Sequence, residues 1–181
     1  MIEKRRKGLV IVYTGNGKGK TTAAMGMAAR AAGNQMTVRV IQFIKGAWKT
    51  GEVTSLAALA PYLEIERSGR GFTIERLRDE RITDEEHVVA AQAGIARARE
   101  LIVSGIDMLV LDEILGAITA KLVSLEQVLE LVALKPPMVH LVLTGRNAPP
   151  QLIEAADLVT EMRAIKHPYE HGIVAQRGVE F

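Results

Sequence analysis

One glycine-rich stretch, TGNGKGKTT at residues 14–22, has the residue types and spacing that suit phosphate chemistry. The P-loop pattern is G-x-x-x-x-G-K-[S/T], and the stretch matches it at Gly19, Lys20 and Thr21. In such a loop the backbone N–H groups cradle phosphates, the lysine reaches phosphate oxygens and the hydroxyl binds Mg²⁺. Thr14 stands where the pattern has its first glycine. The predicted nucleotide-binding residues of the loop are Thr14, Gly15, Asn16, Gly17, Lys18, Gly19, Lys20, Thr21 and Thr22.

A pair of carboxylates, Asp112 and Glu113, ends the apolar run DMLVLDE at residues 107–113. An acidic residue at the end of a strand completes the Mg²⁺ site of many P-loop proteins. The pattern therefore predicts that one of the two, with Thr21, holds Mg²⁺ directly or through water, and a related ion such as Mn²⁺ could substitute. The alternative is ordinary solvated polarity at a strand end.

Short apolar runs alternate with helical patterns along the chain. Helices are predicted at 21–33, from the capping box of Thr83 and Glu86 to about residue 103, and at 125–133 after a cap at Ser124. Strands are predicted at 8–14, 37–43, 62–67, 107–113, 138–145 and 157–163, and the tail at 172–181 is predicted as a further closing strand.

This alternation predicts an α/β fold with a mostly parallel sheet covered by helices on both faces. Ligands of such folds bind at the carboxyl ends of the strands, where the glycine loop, the carboxylate pair and residues 144–146 all fall. The length of 181 residues favours one domain over residues 1–181.

The composition excludes several classes of chemistry. The chain has no cysteine, which excludes disulfides, thiolate metal sites and a cysteine nucleophile. The net charge of +2 and the mixed-charge run at 66–81 do not favour nucleic acid as a partner. No uncharged apolar segment approaches the roughly 20 residues that span a bilayer, so we expect no membrane partner and a cytoplasmic location.

Several motifs together resemble one family, the P-loop corrinoid adenosyltransferases. They follow one another in order over nearly the whole chain, and the glycine loop and the tail are the most specific. The matching stretches are TGNGKGKTTAA (14–24), VIQFIKG (40–46), Trp48 with Gly51 and Glu52, GFT (71–73), VLDE (110–113), LTGR (143–146), KHPY (166–169) and GIVAQRGVEF (172–181).

The resemblance implies a RecA-like P-loop fold and an unusual use of ATP. A corrinoid reduced to Co(I) attacks the 5′ carbon of ATP, triphosphate leaves and a cobalt–carbon bond forms. Family members hold ATP in the reverse of the common P-loop orientation, and we hypothesise that Thr14 goes with a loop fitted to a reversed triphosphate. The resemblance also implies a homodimer and a flavoprotein reductase as electron donor.

The protein's tasks in such a reaction are to position two substrates and to stabilise a polyanionic leaving group. Lys20 and Lys18 are predicted to do this with the metal, Glu113 is a further catalytic candidate, and Arg30 or Arg146 could help or could be ordinary surface arginines. The resemblance implies that Phe72 acts on the corrinoid, by displacing the lower axial ligand of cobalt, although Ile74 stands where the family usually has tryptophan.

Two other functions fit parts of the same pattern. A conventional P-loop kinase or ATPase would act at the γ-phosphate and give ADP. A nucleotide- or corrinoid-binding sensor would bind ATP without turnover.

His167 and His171 lie beside Pro168 and Gly172, which predicts a loop near the site rather than a zinc-binding helix.

Overall fold

The computed structural model describes residues 6–44, 51–69 and 82–180 of the chain. Within these residues, six strands form one sheet in the order β3-β2-β4-β5-β1-β6, and every neighbouring pair is parallel. This arrangement confirms the predicted α/β fold with a parallel sheet. The strands are β1 (Val10–Thr14), β2 (Val38–Gln42), β3 (Leu63–Arg67), β4 (Met108–Asp112), β5 (His140–Thr144) and β6 (Leu158–Glu161).

Helices connect the strands. The helices are α1 (Lys20–Gly33), α2 (Gly51–Leu56), α3 (Asp84–Ile102), α4 (Ile114–Thr119), α5 (Leu125–Leu134) and α6 (Pro150–Ala155), with short 3₁₀ turns at Ala57–Leu59 and Pro168–His171. The predicted capping boxes are present at the starts of α3 and α5, where Thr83 accepts from the Glu86 N–H and Ser124 accepts from the Gln127 N–H. Both boxes satisfy backbone donors that the first helical turn leaves unpaired.

The hydrophobic core lies on both faces of the sheet. On one face the buried side chains come mainly from α3, α4 and α5, and on the other mainly from α1. The inner face of α1 is rich in alanine, with Ala24 and Ala28 fully buried, so the helix backbone approaches the sheet closely. This packing fixes the first turn of α1 against the carboxyl ends of the strands.

The tail was the main error of the sequence-based prediction. Residues 172–180 form no strand; they continue from a 3₁₀ turn into coil and turns. β6 pairs with β1 and forms one edge of the sheet, ending at Glu161, before the predicted limit of residue 163. Three helices were not predicted, α2, α4 and α6, because six residues are too few for a helical period to be recognised. One domain over residues 1–181 stays a prediction, which the single sheet supports.

Among the residues that the structure describes, none of the helices combines the length and the hydropathy of a membrane-spanning segment.

Candidate active site

The glycine-rich loop connects the end of β1 to the start of α1, as the sequence predicts. Its backbone depends on glycine at two positions, since φ is +96° at Gly15 and +110° at Gly19. The loop also packs against the chain that follows β6. The Gly17 N–H donates to the Met162 carbonyl at 2.6 Å, and Cβ atoms built on Gly15 and Gly17 would lie 2.4 and 2.7 Å from that same oxygen. Close backbone contact therefore leaves no space for a side chain at Gly15 or Gly17.

We expect Gly17→Ala to disturb this contact. The added methyl group meets backbone atoms of Met162 and Arg163, which cannot rotate away, so the free energy of unfolding should fall by about 2 kcal/mol. Binding of inorganic tripolyphosphate, measured by calorimetry, should weaken about tenfold, which corresponds to a loss of about 1.4 kcal/mol in the free energy of binding. Gly26→Ala is the matched control, because nothing lies within 4 Å of a Cβ there and a helical alanine stabilises by about 0.5–1 kcal/mol. Equal tripolyphosphate affinities of the two variants would contradict the prediction.

Lys20 is the first residue of α1, and its side chain contacts the loop. It is buried, and its Nζ donates to the carbonyl oxygens of Gly15 at 2.8 Å and Gly17 at 2.7 Å. Burial lowers the pKa of Lys20, the charge of Glu113 opposes that shift and the charge of Arg146 adds to it. The ammonium group therefore lies against the backbone of the loop, and the charges of Glu113 and Arg146 are close enough to shift its pKa.

Asp112 is the centre of a hydrogen-bonded cluster at the carboxyl ends of three strands and the start of α1. Its side chain is fully buried. Oδ1 accepts from the Thr21 hydroxyl at 2.9 Å and from the Thr144 hydroxyl at 2.8 Å, and Oδ2 accepts from the Gln42 side-chain amide at 3.0 Å. Asp112 and Thr21, both predicted as metal ligands, are therefore in direct contact.

Glu113 differs from its neighbour. It lies beyond the end of β4, at the N-terminus of α4, with φ of +60° in the left-handed region. Its N–H donates to the Thr144 hydroxyl at 2.9 Å. The two adjacent carboxylates thus have different positions, one within the cluster at the strand ends and the other on the turn that follows.

Thr21 and Asp112 provide the oxygen donors that Mg²⁺ prefers. In the described residues, no three His, Cys, Asp or Glu side chains lie close enough to form a metal site by themselves. A divalent ion at this position would therefore need oxygens from phosphate or water besides those of the protein. That donor set fits Mg²⁺, which keeps waters and usually binds one or two carboxylates together with substrate phosphates.

The two candidate arginines have very different positions. Arg146 follows β5 at the carboxyl edge of the sheet, where its charge lowers the pKa of Lys20. Arg30 is exposed in the last turn of α1. Ten residues of helix separate Arg30 from Lys20, a rise of about 15 Å. Burial raises the pKa of Tyr13, the residue before Thr14, and the charge of Arg30 opposes that shift. A role for Arg30 stays a prediction, and Phe72 falls outside the described residues.

Thr14 has a contact that a glycine could not make. Its hydroxyl accepts from the Ala148 N–H at 3.2 Å, on the segment between β5 and α6. Its carbonyl accepts from the Met162 N–H at 2.8 Å. The first residue of the loop therefore connects two neighbouring segments of the carboxyl edge, those that follow β5 and β6.

Sequence reasoning missed Gln42 as a member of the site. It is fully buried, and because a carboxylate only accepts, the amide nitrogen must face Asp112. Gln42 Oε1 then points elsewhere and is a buried atom with no hydrogen-bond partner in the described part of the protein. A polar residue inside the apolar run of β2 was the available signal. Thr144 was placed at a strand end, but its bond to Asp112 was not foreseen.

Comparison with known proteins identifies relatives over almost the full chain. The sequence profile of the family described as ATP:corrinoid adenosyltransferase BtuR/CobO/CobP matches residues 6–181. A corrinoid adenosyltransferase of Sinorhizobium is 46% identical over 181 residues, covering 97% of this chain and 81% of the relative. One of Pseudomonas aeruginosa is 42% identical, covering 97% and 84%, and the corrinoid adenosyltransferase CobA of Salmonella typhimurium is 36% identical, covering 98% and 88%.

Proposed function

This chain belongs to the family of ATP:corrinoid adenosyltransferases, and we propose that its glycine loop holds the triphosphate of ATP while C5′ faces the corrinoid. The reaction is transfer of the 5′-deoxyadenosyl group of ATP to the Co(I) centre of a corrinoid. Co(I) supplies the electron pair of the new cobalt–carbon bond, the C5′–O bond breaks, and triphosphate leaves with the electrons of that bond. The observation that carries the assignment is the match over residues 6–181, on a chain whose glycine-rich loop lies between β1 and α1. A γ-phosphate enzyme and a sensor are not favoured by these relatives.

Since the substrate supplies the nucleophile, the protein's part is to bind, orient and neutralise charge. The triphosphate is proposed to lie on the backbone N–H groups of the loop and the N-terminus of α1. Lys20 is proposed to leave the loop carbonyls for phosphate oxygens, since those anions are stronger acceptors for an ammonium group. Arg146 is proposed to help from the end of β5, and Glu113 to keep Lys20 charged, because its carboxylate raises the pKa of that lysine.

We propose Mg²⁺, or Mn²⁺ in its place, as the metal of the site. Thr21 and Asp112 would hold it, with Glu113 as the nearby alternative. When bound, the ion would neutralise negative charge on the leaving triphosphate. Gln42 and Thr144 would keep the Asp112 carboxylate oriented through the hydrogen bonds that they donate to it.

The remaining proposals concern the setting of the reaction. Phe72 is proposed to act on the corrinoid, and a flavoprotein reductase to supply the electrons for Co(I). A homodimer is proposed from family resemblance, and light scattering of the purified protein would test it, with a monomer of 19.7 kDa as the contrary result. A cytoplasmic location is proposed because ATP and the required reductant are available there.

We expect Thr14→Gly to lower kcat/KM for ATP about tenfold. The change removes the hydroxyl that binds the Ala148 N–H and adds backbone freedom, two effects that together cost about 1–2 kcal/mol. Thr14→Ser is the matched control, because it keeps the hydroxyl and should stay within about twofold of the wild type on the same scale. A Thr14→Gly enzyme with unchanged activity and nucleotide preference would contradict both this role and the link to a reversed triphosphate.

The function is tested by mixing the protein with ATP, Mg²⁺ and chemically reduced Co(I) corrinoid under anaerobic conditions. A light-sensitive adenosylcorrinoid spectrum and stoichiometric triphosphate are the expected results. Formation of ADP alone would indicate a γ-phosphate enzyme, and binding without turnover would indicate a sensor. Either of those outcomes would refute the proposed reaction.

A further inference from the structure

The C-terminal turn, residues 176–180, contacts the glycine loop. The Lys18 ammonium group donates to the Glu180 carboxylate at 2.9 Å and also to the Val179 carbonyl oxygen. Two acceptors from the tail therefore hold one lysine of the loop. Neither the fold nor the chemistry described above explains why this part of the tail returns to the loop.

The turn that presents these acceptors is well defined. The N–H groups of Val179 and Glu180 donate to the Gln176 carbonyl at 3.1 and 2.9 Å, and Gly178 allows the turn with φ of +80°. The Gln176 N–H donates to the second oxygen of Glu180 at 2.8 Å. This bond and the Lys18 contact hold the pKa of Glu180 below its usual range. One carboxylate thus bridges its own turn and the loop.

We propose that Glu180 is a positioning residue that acts through Lys18 and competes with triphosphate for that lysine. The inference rests on the proposed function, in which triphosphate is both part of the substrate and the leaving group. Lys18 lies between Gly17 and Gly19, so the carboxylate is one lysine side chain from the backbone proposed to bind phosphate. That separation is comparable to the Debye length of about 8–10 Å at physiological ionic strength, so its charge is only partly screened.

The charges of Glu180, Lys18 and triphosphate determine whether Glu180 strengthens or weakens the binding of triphosphate. With Glu180 in place, the Lys18 charge is paired and a second anion stands beside the phosphate site. When triphosphate takes Lys18, the carboxylate loses its cation and repels the new anion. Glu180 therefore weakens the binding of polyphosphate, and it favours release of the product triphosphate after adenosyl transfer.

The test is calorimetric binding of inorganic tripolyphosphate with Mg²⁺ to the full chain. Glu180→Gln keeps the shape of the side chain and removes its charge, so affinity should rise about three- to eightfold, and less at high salt. In a Lys18→Ala background the same change should give a smaller gain, because only the direct repulsion between Glu180 and the phosphate remains once the ion pair with Lys18 is gone. Glu154→Gln, an exposed carboxylate on α6, is the control for the loss of one negative charge and should leave the affinity unchanged.

Unchanged or weaker binding by Glu180→Gln would overturn the proposal. So would an equal gain in the Lys18→Ala background, because the effect would then not pass through Lys18. The readout needs no corrinoid, so it is separable from the proposed function. If the wild type bound tripolyphosphate with the expected Glu180 effect but transferred no adenosyl group, the reaction would be wrong and the role of Glu180 would stand.

Discussion

Lys20→Ala should lower kcat/KM for adenosyl transfer by roughly 10²–10³-fold, the size of effect that follows loss of one preorganised charge-stabilising donor. Lys20 is buried, and its Nζ lies 2.8 and 2.7 Å from the carbonyls of Gly15 and Gly17. The loop thus fixes the ammonium group beside the proposed phosphate site before the substrate arrives. Anaerobic turnover with Co(I) corrinoid and tripolyphosphate calorimetry would measure the loss of activity and of phosphate binding separately.

The loss of activity in Lys20→Ala must be distinguished from a loss of stability. Burial lowers the pKa of Lys20, which means that the folded protein disfavours its charged form relative to water. Lys20→Met keeps the aliphatic stem and removes that charge, so it should leave Tm close to that of the wild type while activity falls as in Lys20→Ala. Lys121→Ala, an exposed lysine, is the control for general loss of a positive charge. A stable Lys20→Met enzyme with normal turnover would show that the loop lysine has no part in the reaction.

The part of the site that could be predicted from sequence is the part that local backbone geometry determines. The glycine loop was identifiable because strand, glycines, lysine and helix follow one another without interruption, and the structure places all of them as expected. Asp112 could be identified as a candidate metal ligand because it ends an apolar strand. The sequence could not show that the adjacent Glu113 has a different position. Glu113 has a left-handed backbone conformation, and the chain turns there from β4 into α4. Nothing in the sequence marks that turn.

Other features depend on contacts between distant parts of the chain. Gln42 reaches Asp112 only because β2 and β4 are neighbours in the sheet, with these two residues in register. The short tail was predicted as a strand from its apolar residues, yet it contacts the loop through Lys18 and Glu180. Strand propensity depends strongly on whether an edge is available for pairing, which a single segment does not reveal. Arg30 was a candidate because it lies on the helix that follows the loop, and its role at the site stays a prediction.

Asp112→Asn should raise the Mg²⁺ concentration needed for half-maximal activity by about 10²-fold, comparable with the large losses that follow damage to metal sites. The asparagine keeps the shape of the side chain but cannot supply the negative charge that the proposed ion needs. Its effect on folding should be small, about 1 kcal/mol, because the cluster can adapt. The side-chain oxygen of the introduced asparagine can continue to accept from the hydroxyls of Thr21 and Thr144. The Gln42 side-chain amide can reverse, so that its Oε1 accepts from the side-chain NH₂ group of that asparagine.

Glu113→Gln decides between the two carboxylates. It removes the same charge one residue away, on the turn after β4, where the Glu113 backbone N–H donates to the Thr144 hydroxyl. If Asp112 holds the metal, Glu113→Gln should change the Mg²⁺ requirement by less than about tenfold, and its larger effect should be on kcat through the weaker support of the Lys20 charge. Titration of Mn²⁺ into each variant with bound ATP, followed by electron paramagnetic resonance, measures metal affinity without turnover. A greater loss of Mn²⁺ affinity in Glu113→Gln than in Asp112→Asn would place the metal at the turn after β4. Asp112 would then have a structural task, because its side-chain hydrogen bonds to Thr21, Gln42 and Thr144 join α1, β2 and β5 to β4.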